Sequence, residues 1–313
     1  MSIERALELA DAAAGRGYPN PTVGAVVASP EGEALGEGAT ESEGGRHGEV
    51  VALDAAGDAA RGATLYVTME PCAHHGRTPP CVDRILEAGV ARVVVGCLDP
   101  NPVAEGGLER LRAAGVETVL LDLPRARRQN EAWRTWVARR RPHVALKLAV
   151  SVDGRAAVPG RRWVTGEESR RRVHELRASV DAVGVGMGTV RVDAPRLDAR
   201  DVAVVRQPRR LAFGRGPLPP GSELELRAGP LADELASLAG EGVQSLLLEG
   251  GPTLAAAFLD ARLVDRLLVF VAPVLAGGGV PMLAELRQPI DLGPPEIDPA
   301  GEDLLLSWRL LEA

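Results

Sequence analysis

His47-Gly48-Glu49 is followed, beyond one apolar run, by Pro71-Cys72-Ala73-His74-His75-Gly76-Arg77-Thr78-Pro79-Pro80-Cys81. The first triplet opens a helix predicted over 49–56 and stopped by Gly57. The last cysteine opens a second helix, predicted over 81–88 and stopped by Gly89. Between them, 65–68 reads as a strand. Working outward, 23–27, 35–38, 93–97 and 116–120 also read as strands, and a further helix is predicted over 105–114, stopped by Gly115. Ser2 can cap an N-terminal helix that places Ile3, Ala6, Leu7 and Ala10 on one face. Strand and helix in alternation predict βαβ units and a largely parallel sheet covered on both faces, an α/β fold.

The chemistry sits at the ends of these elements. His47, Cys72 and Cys81 offer one imidazole and two thiolates, three ligands for Zn²⁺, with the fourth position left for water as in catalytic sites. Helix starts favour anions and so help to keep both sulfurs as thiolates. Zinc brings the pKa of its water towards neutrality. Glu49 lies two residues past His47 and falls beside the metal rather than on it. There it can carry the water's proton to a ring nitrogen and then to departing ammonia. The pattern H-x-E…P-C-x-x-C, with Glu as acid/base and not a ligand, marks zinc-dependent deaminases. A lone His-x-Glu has no weight, and two cysteines can simply be buried; the conjunction, opening two helices around a strand, is what points to a metal. Cys97 ends a Val-rich strand and reads as core. His74 and His75 could replace a cysteine, although a substrate loop or plain exposure fits them better, and His143 and His174 have no partner pattern.

At 313 residues two domains are expected, and the boundary falls near Pro142, giving segments 1–142 and 143–313. The formal net charge of −7 excludes a broad phosphate-binding face. The basic run Arg125, Arg127, Arg128, Arg134, Arg139, Arg140 and Arg141, interleaved with Trp133 and Trp136, reads as a solvated helix face leading into a linker rather than as an RNA patch. No apolar stretch is long enough to span a bilayer, and Met1-Ser2-Ile3-Glu4-Arg5 lacks a signal peptide's layout, so a cytoplasmic protein is expected. Three cysteines argue against a disulfide framework. In the second segment 144–150, 182–185, 245–248 and 266–271 read as strands, and 214–221 as a long Pro/Gly-rich turn. Gly250-Gly251-Pro252 joins a strand to an apolar helix, a turn whose N–H groups can cradle a phosphate or can serve geometry alone. Gly184-Val185-Gly186-Met187-Gly188 imitates a dinucleotide fingerprint with the wrong spacing.

The loop between the cysteines, with Pro19-Asn20-Pro21-Thr22-Val23-Gly24, Thr68-Met69-Glu70-Pro71-Cys72 and Leu98-Asp99-Pro100-Asn101-Pro102, resembles the bifunctional riboflavin-biosynthesis deaminase/reductase family. Lys147-Leu148-Ala149-Val150-Ser151-Val152-Asp153-Gly154-Arg155, Trp163-Val164-Thr165, Leu176-Arg177-Ala178, the run from Gly188 to Pro195, and Leu248-Glu249-Gly250-Gly251-Pro252-Thr253-Leu254 extend the resemblance over nearly the whole chain. It implies a cytidine-deaminase-like three-layer αβα domain followed by a dihydrofolate-reductase-like α/β domain. The implied activities are hydrolytic deamination of 2,5-diamino-6-ribosylamino-4(3H)-pyrimidinone 5′-phosphate and NADPH-dependent reduction of its ribose to a ribityl chain. By resemblance, His47, Cys72 and Cys81 hold zinc, Glu49 is the acid/base, and Asn20 meets the substrate. Ala149, Trp163, Thr189, Asp193, Gly251, Pro252 and Thr253 are placed near NADPH, and Lys147, Arg177, Leu197, Arg200 and Glu249 near the second substrate. The implied assembly is a homodimer or homotetramer through the second domain, with no nucleic-acid or membrane partner.

Several positions depart from the family pattern. Gly48 replaces the usual alanine, a change that should loosen the helix start by up to ~1 kcal/mol. Ala194 replaces an acidic or amide residue, Asp198 a hydroxyl residue, and Arg161 a small polar one; Gly214-Arg215 stand where Asp-Ser is common, and 203–242 looks shortened. Competing readings are a deaminase with a degenerate reductase half, a nucleic-acid or nucleoside deaminase with an appended domain, and a non-enzymatic module on a structural zinc.

Overall fold

Strand β1 (Gly24–Ala28) is buried along its whole length and divides the first half of the chain into layers. The structure is a computed structural model that describes residues 2–76, 78–104 and 106–311, and the chain divides into two units, Met1–Ala138 and Arg139–Ala313. Arg77 of the cysteine loop, Glu105 at the head of the expected fourth helix and the side chain of Ser2 lie outside the described residues. Unit 1 runs α1 (Ser2–Ala12), β1, β2 (Ala34–Ala39), α2 (Gly48–Ala56), β3 (Thr64–Val67), α3 (Cys81–Ala88), β4 (Arg92–Val95), α4 (Gly107–Ala113), β5 (Glu117–Leu120), α5 (Pro124–Gln129) and α6 (Glu131–Arg139).

Its five strands pair in the order β2-β1-β3-β4-β5. Only the β3–β4 and β4–β5 pairs are parallel; β1 is antiparallel to both β2 and β3, so the expectation of a largely parallel sheet is corrected to a mixed one. The reason is the connection. β1 turns into β2 through a tight loop closed by Ser29 and Glu33, and so short a link can only reverse direction. Val26 packs with Ile3 and Ala6 of α1, whereas Ala25 and Val27 belong to the cluster holding Leu53, Val82 and Ile85 of α2 and α3. The period-two alternation of one strand thereby sets helices on both faces.

The seat of α2 is unusually close. A Cβ on Gly38 would lie 2.5 Å from the Gly48 carbonyl oxygen and 2.6 Å from the Ala52 nitrogen, and a Cβ on Gly48 would lie 2.4 Å from the Val23 carbonyl oxygen. Gly48 therefore does more than loosen the helix start: it lets the first turn of α2 approach the β1 entry more closely than alanine permits.

The basic stretch after β5 is not one solvated face. Buried Asn130 separates α5 from α6 and exchanges hydrogen bonds of 2.8 Å with both backbone groups of Thr22. Arg134 and Arg141 are buried, and Arg134 donates to the Leu98 carbonyl.

Unit 2 runs β6 (His143–Ser151), β7 (Arg155–Ala157), α7 (Glu167–Ala178), β8 (Ala182–Gly186), α8 (Met187–Asp193), β9 (Arg209–Phe213), β10 (Glu225–Arg227), α9 (Leu231–Gly240), β11 (Ser245–Leu248), α10 (Pro252–Asp260), β12 (Arg266–Ala272), β13 (Val280–Pro281), β14 (Glu296–Ala300) and β15 (Asp303–Arg309). Eight strands form one sheet, β10-β9-β8-β11-β6-β12-β15-β14. The first six are mutually parallel, and β15 and β14 close it antiparallel. Val144, Leu146 and Leu148 pack with Phe258 and Leu235 on one face, while Val183, Val185 and Leu247 pack with Met187 and Val190 on the other, the two-sided burial that a parallel sheet requires.

Asp265, with its side chain fully buried, fastens the start of this unit. It pairs with Arg141 at 2.6 and 2.7 Å and with Arg139 at 3.3 Å, and accepts the Val144 N–H at 2.8 Å. Asp265→Ala leaves two guanidinium groups and an N–H facing an apolar hole. Denaturant unfolding of the full chain should show the second unit less stable by about 3–5 kcal/mol. A loss below about 1 kcal/mol would mean that solvent replaces the carboxylate and the buried pairing is not what secures β6.

Candidate metal centre and active sites

Three elements converge on the first site. His47 is the N-cap residue of α2, in extended backbone, and Cys81 is the first residue of α3. Cys72 lies in the loop after β3, where its carbonyl accepts the Val82 N–H at 3.3 Å and its sulfur accepts the Cys81 N–H at 3.3 Å. His47 Nδ1 stands 3.2 Å from Cys81 Sγ and 3.7 Å from Cys72 Sγ, and the three donor atoms all lie within 4.8 Å of one another. Zinc bonds of about 2.0–2.3 Å in tetrahedral array separate ligand atoms by roughly 3.3–3.8 Å. The donors therefore fit zinc, and Nδ1 is the nitrogen aimed at it. The other nitrogen, Nε2, lies 3.4 Å from Thr78 Oγ1, a partner that orients the ring.

The electrostatics fit as well. The Cys72 thiolate is held down at about 4 by the Cys81 thiol and by His47, against burial. Cys81 moves up for the same reason, as the hydrogen-bond donor of the pair and a buried group. His47 rises to about 9 through its contact with Cys72, although burial opposes this. Protons thus hold the places that a dication would take over.

Glu49 is fully buried, and its Oε2 has no hydrogen-bond partner among the described residues. Burial pushes it up to about 7 despite the pull of His47. An unpartnered carboxylate oxygen beside three metal donors is available for water and a proton. Sequence reasoning missed the support beneath this loop. Glu70 accepts the Leu108 N–H at 3.0 Å and the Asp99 N–H at 3.3 Å, tying Pro71-Cys72 to α4 and to the 98–102 loop. A Cβ on Gly107 would lie 1.9 Å from the Pro71 carbonyl oxygen, so α4 abuts the backbone that carries Cys72. Asn20 is exposed in the loop before β1, and His74 and His75 stand outside the three-donor cluster.

In unit 2, Glu249 follows β11 and is buried between two cations. Arg177 donates to it from Nε and Nη2 at 2.6 and 3.0 Å, and Lys147 Nζ lies 3.2 Å away. Burial alone would raise its pKa, but Lys147 and Arg177 prevail and hold it at about 2. Arg177 also donates to the Asp198 carbonyl at 3.1 Å, and the Asp198 carboxylate pairs with Arg200 at 2.7 Å and Arg196 at 3.0 Å. Lys147, Arg177 and Glu249 thus come together, and Asp198 links Arg200 to them. Leu197, buried at φ +56°, precedes Asp198. Gly251 caps α10, and a Cβ there would lie 3.4 Å from Thr189 Oγ1 on α8; Pro252 and Thr253 form the first turn. Ala149 lies in β6, Asp193 ends α8, and exposed Trp163 lies under the guanidinium groups of Arg162 and Arg170 at 5.3 and 5.6 Å.

Residues 1–97 match the model of the cytidine and deoxycytidylate deaminase zinc-binding region, and residues 142–306 match that of the RibD C-terminal domain. The chain is 41% identical to the riboflavin biosynthesis protein RibD of Mycobacterium tuberculosis, covering 94% of this chain and 92% of that one. The chain belongs to the RibD family. It is likewise 38% identical to RibD of Aquifex aeolicus, over 97% and 96% of the two chains. Its fold matches RibD of Acinetobacter baumannii with a TM-score of 0.88 at 32% identity, over 98% and 97% of the chains. It also matches the Thermotoga maritima diaminohydroxyphosphoribosylaminopyrimidine deaminase/5-amino-6-(5-phosphoribosylamino)uracil reductase, with a TM-score of 0.84 at 34% identity over the same shares. This RibD-family chain is therefore α/β throughout, with a cytidine-deaminase-like first half. No helix among the described residues is long and apolar enough to cross a membrane.

The purified protein should carry about one zinc per chain by metal analysis. Cys72→Ser and Cys81→Ser should each lose it; a variant that kept full zinc would remove that sulfur from the ligand set.

Proposed function

We propose that residues 1–142 deaminate 2,5-diamino-6-ribosylamino-4(3H)-pyrimidinone 5′-phosphate and that residues 143–313 reduce the ribose of the product to a ribityl chain with NADPH. The observation that carries the first half is the buried Glu49 oxygen, without a partner, beside His47, Cys72 and Cys81. His47, Cys72 and Cys81 would hold the zinc, which when bound would supply a water acidified towards neutrality. Glu49, which burial raises towards neutrality before any metal binds, would carry one proton of that water to the ring nitrogen and the other to the leaving amine. Water and the amino-bearing carbon thereby yield a carbonyl and ammonia. Thr78 keeps the His47 ring in register, and Asn20 offers an amide to the ring or its phosphoribosyl group.

In the second half the N–H groups at the head of α10, behind the side-chain-free Gly250 and Gly251, fit a phosphate of the dinucleotide. NADPH supplies the hydride for the sugar carbon. Lys147 and Arg177 present donors to the sugar hydroxyls while Glu249 fixes both; Leu197 and Arg200 complete the substrate side. Ala149, Trp163, Thr189, Asp193, Gly251, Pro252 and Thr253 form the cofactor side. The substrate is a small molecule, the protein is cytoplasmic, and it assembles as a homodimer or homotetramer through the second unit. A chain carrying −7 net charge has no use for nucleic acid as a partner.

Glu49→Gln should keep its zinc while ammonia release falls by at least about 10²-fold. Zinc lost together with activity would make Glu49 a ligand instead. Gly251→Trp fills the space before Thr189 and should abolish NADPH binding, followed by nicotinamide fluorescence, while ammonia release continues. Unchanged NADPH affinity in that variant would move the cofactor away from the α10 turn.

A further inference from the structure

Pro19 and Pro21 flank Asn20, and neither has an N–H to give. The loop before β1 therefore cannot be zipped onto a neighbouring strand along its length, and it is held at a few points instead. The Asn20 N–H donates to the Gly17 carbonyl at 2.8 Å. The Val23 N–H donates to Thr40 Oγ1 at 2.9 Å, and the Val23 carbonyl accepts the Thr40 N–H at 2.9 Å. Between these points lies buried Thr22, whose N–H and carbonyl are both met at 2.8 Å by the side-chain amide of Asn130, 108 residues away in sequence. One amide thus offers the donor and the acceptor that an adjacent strand would have offered.

Asn130 is itself firmly seated. It stands between α5 and α6, is buried, and its own carbonyl accepts the Arg134 N–H at 2.8 Å. Gln129 beside it donates to the Leu7 carbonyl at 2.6 Å and to Asp11 at 2.7 Å, which ties the end of α5 to α1. Arg134, one turn further on, donates to the Leu98 carbonyl at 2.8 Å. The two holds on the loop have different reach. Thr40 fixes Val23, whose carbonyl oxygen would lie 2.4 Å from a Cβ on Gly48, so Thr40 serves the seat of His47 and Glu49. It reaches the Pro21 carbonyl only at 3.4 Å. Asn130 fixes Thr22, which Pro21 alone separates from exposed Asn20.

We propose that Asn130 is a positioning residue for deamination: acting through Thr22, its amide sets Asn20 against the pyrimidinone substrate and governs KM, leaving the metal centre and the chemical step alone. The inference rests on the reading of unit 1 as a deaminase served by Asn20, and it deepens that reading. An exposed side chain has a fixed place only through its backbone, and a group that the substrate must first order contributes less to binding.

The test uses the full zinc-loaded chain, with ammonia release followed across concentrations of 2,5-diamino-6-ribosylamino-4(3H)-pyrimidinone 5′-phosphate. Asn130→Ala should raise KM about tenfold, the worth of one well-placed hydrogen bond, with kcat within about twofold and the zinc content unchanged. Asn20→Ala should raise KM by a similar factor, and the double variant should show little more than either alone, because both remove the same contact. A merely structural residue would lower the unfolding temperature without this split or this coupling. Asn130→Asp keeps the shape and the acceptor for the Thr22 N–H but loses the donor to its carbonyl. It should move KM in the same direction, and it decides the matter if Asn130→Ala is insoluble. A KM within about twofold in the Asn130 variants, a normal KM in Asn20→Ala, or factors that multiply in the double variant overturn the assignment. So does a fall in kcat with loss of zinc, which would make Asn130 a support of the metal centre. In all these cases an unaltered chain that releases ammonia keeps the deaminase reading; if it releases none, both readings fall.

Discussion

The direct contact between the first turn of α2 and the strands beneath it governs the deaminase unit. With Gly38 below and Gly48 in the turn itself, backbone meets backbone at distances that a single methyl group would prevent. The head of α2, carrying His47 and Glu49, is fixed by main-chain packing and not by flexible side chains. The Cys72 loop is fixed in the same manner from the other side, where Gly107 abuts the Pro71 carbonyl and Glu70 spans to α4. A metal site needs its donors held within a few tenths of an ångström, and rigid backbone contacts supply this at lower entropic cost than long side chains would.

How far the sequence revealed this differs from one element to another. Helix α3 and strand β11 have the bounds expected from their glycine stops and apolar runs, because local signals fix both. The convergence of His47, Cys72 and Cys81 was legible for a similar reason: their chemistry is written in residue type and in place near helix starts. The antiparallel β1 was not, because strand direction depends on loop length and pairing across the sheet, which alternation alone does not encode. The burial of Arg134 and Arg141 was hidden too. A basic run looks solvated until the partners are known, and the acceptors here, Leu98 and Asp265, are distant in sequence. Thr78 and Glu70 stood inside quoted motifs, but their roles depend on one ring nitrogen and two backbone N–H groups that no one-dimensional pattern displays.

The departures in the second unit also gain a physical meaning. Asp198 would be an unwelcome charge beside a phosphate if it were free, but Arg196 and Arg200 flank its carboxylate and hold its pKa low, although burial opposes this. A negative charge introduced together with its own counter-cations leaves the local balance positive. Gly214 is likewise no simple loss of a side chain. Its φ of +131° is open to glycine alone, and it turns the loop so that the next residue, Arg215, lines the same cavity as Phe213 and Leu254.

Two buried glutamates show how one side-chain type acquires opposite uses. Glu49 and Glu249 are both withdrawn from water, and desolvation raises the pKa of each. Around Glu49 one oxygen has no partner among the described residues, and burial outweighs the pull of His47 and lifts the group to about 7, from which a dication beside it would draw it back down. Around Glu249, Lys147 and Arg177 occupy both oxygens and outweigh desolvation, so that it stays an anion near 2. Because the native value of Glu249 lies below its unfolded value, the pairing stabilises the fold fully above the ordinary carboxylate range, and this stability is lost progressively as pH falls from that range through about 2. A carboxylate so firmly ionised is a poor proton carrier and a good anchor. The proton-carrying role proposed for Glu49 needs the first setting, and the second makes Glu249 an anchor for Lys147 and Arg177.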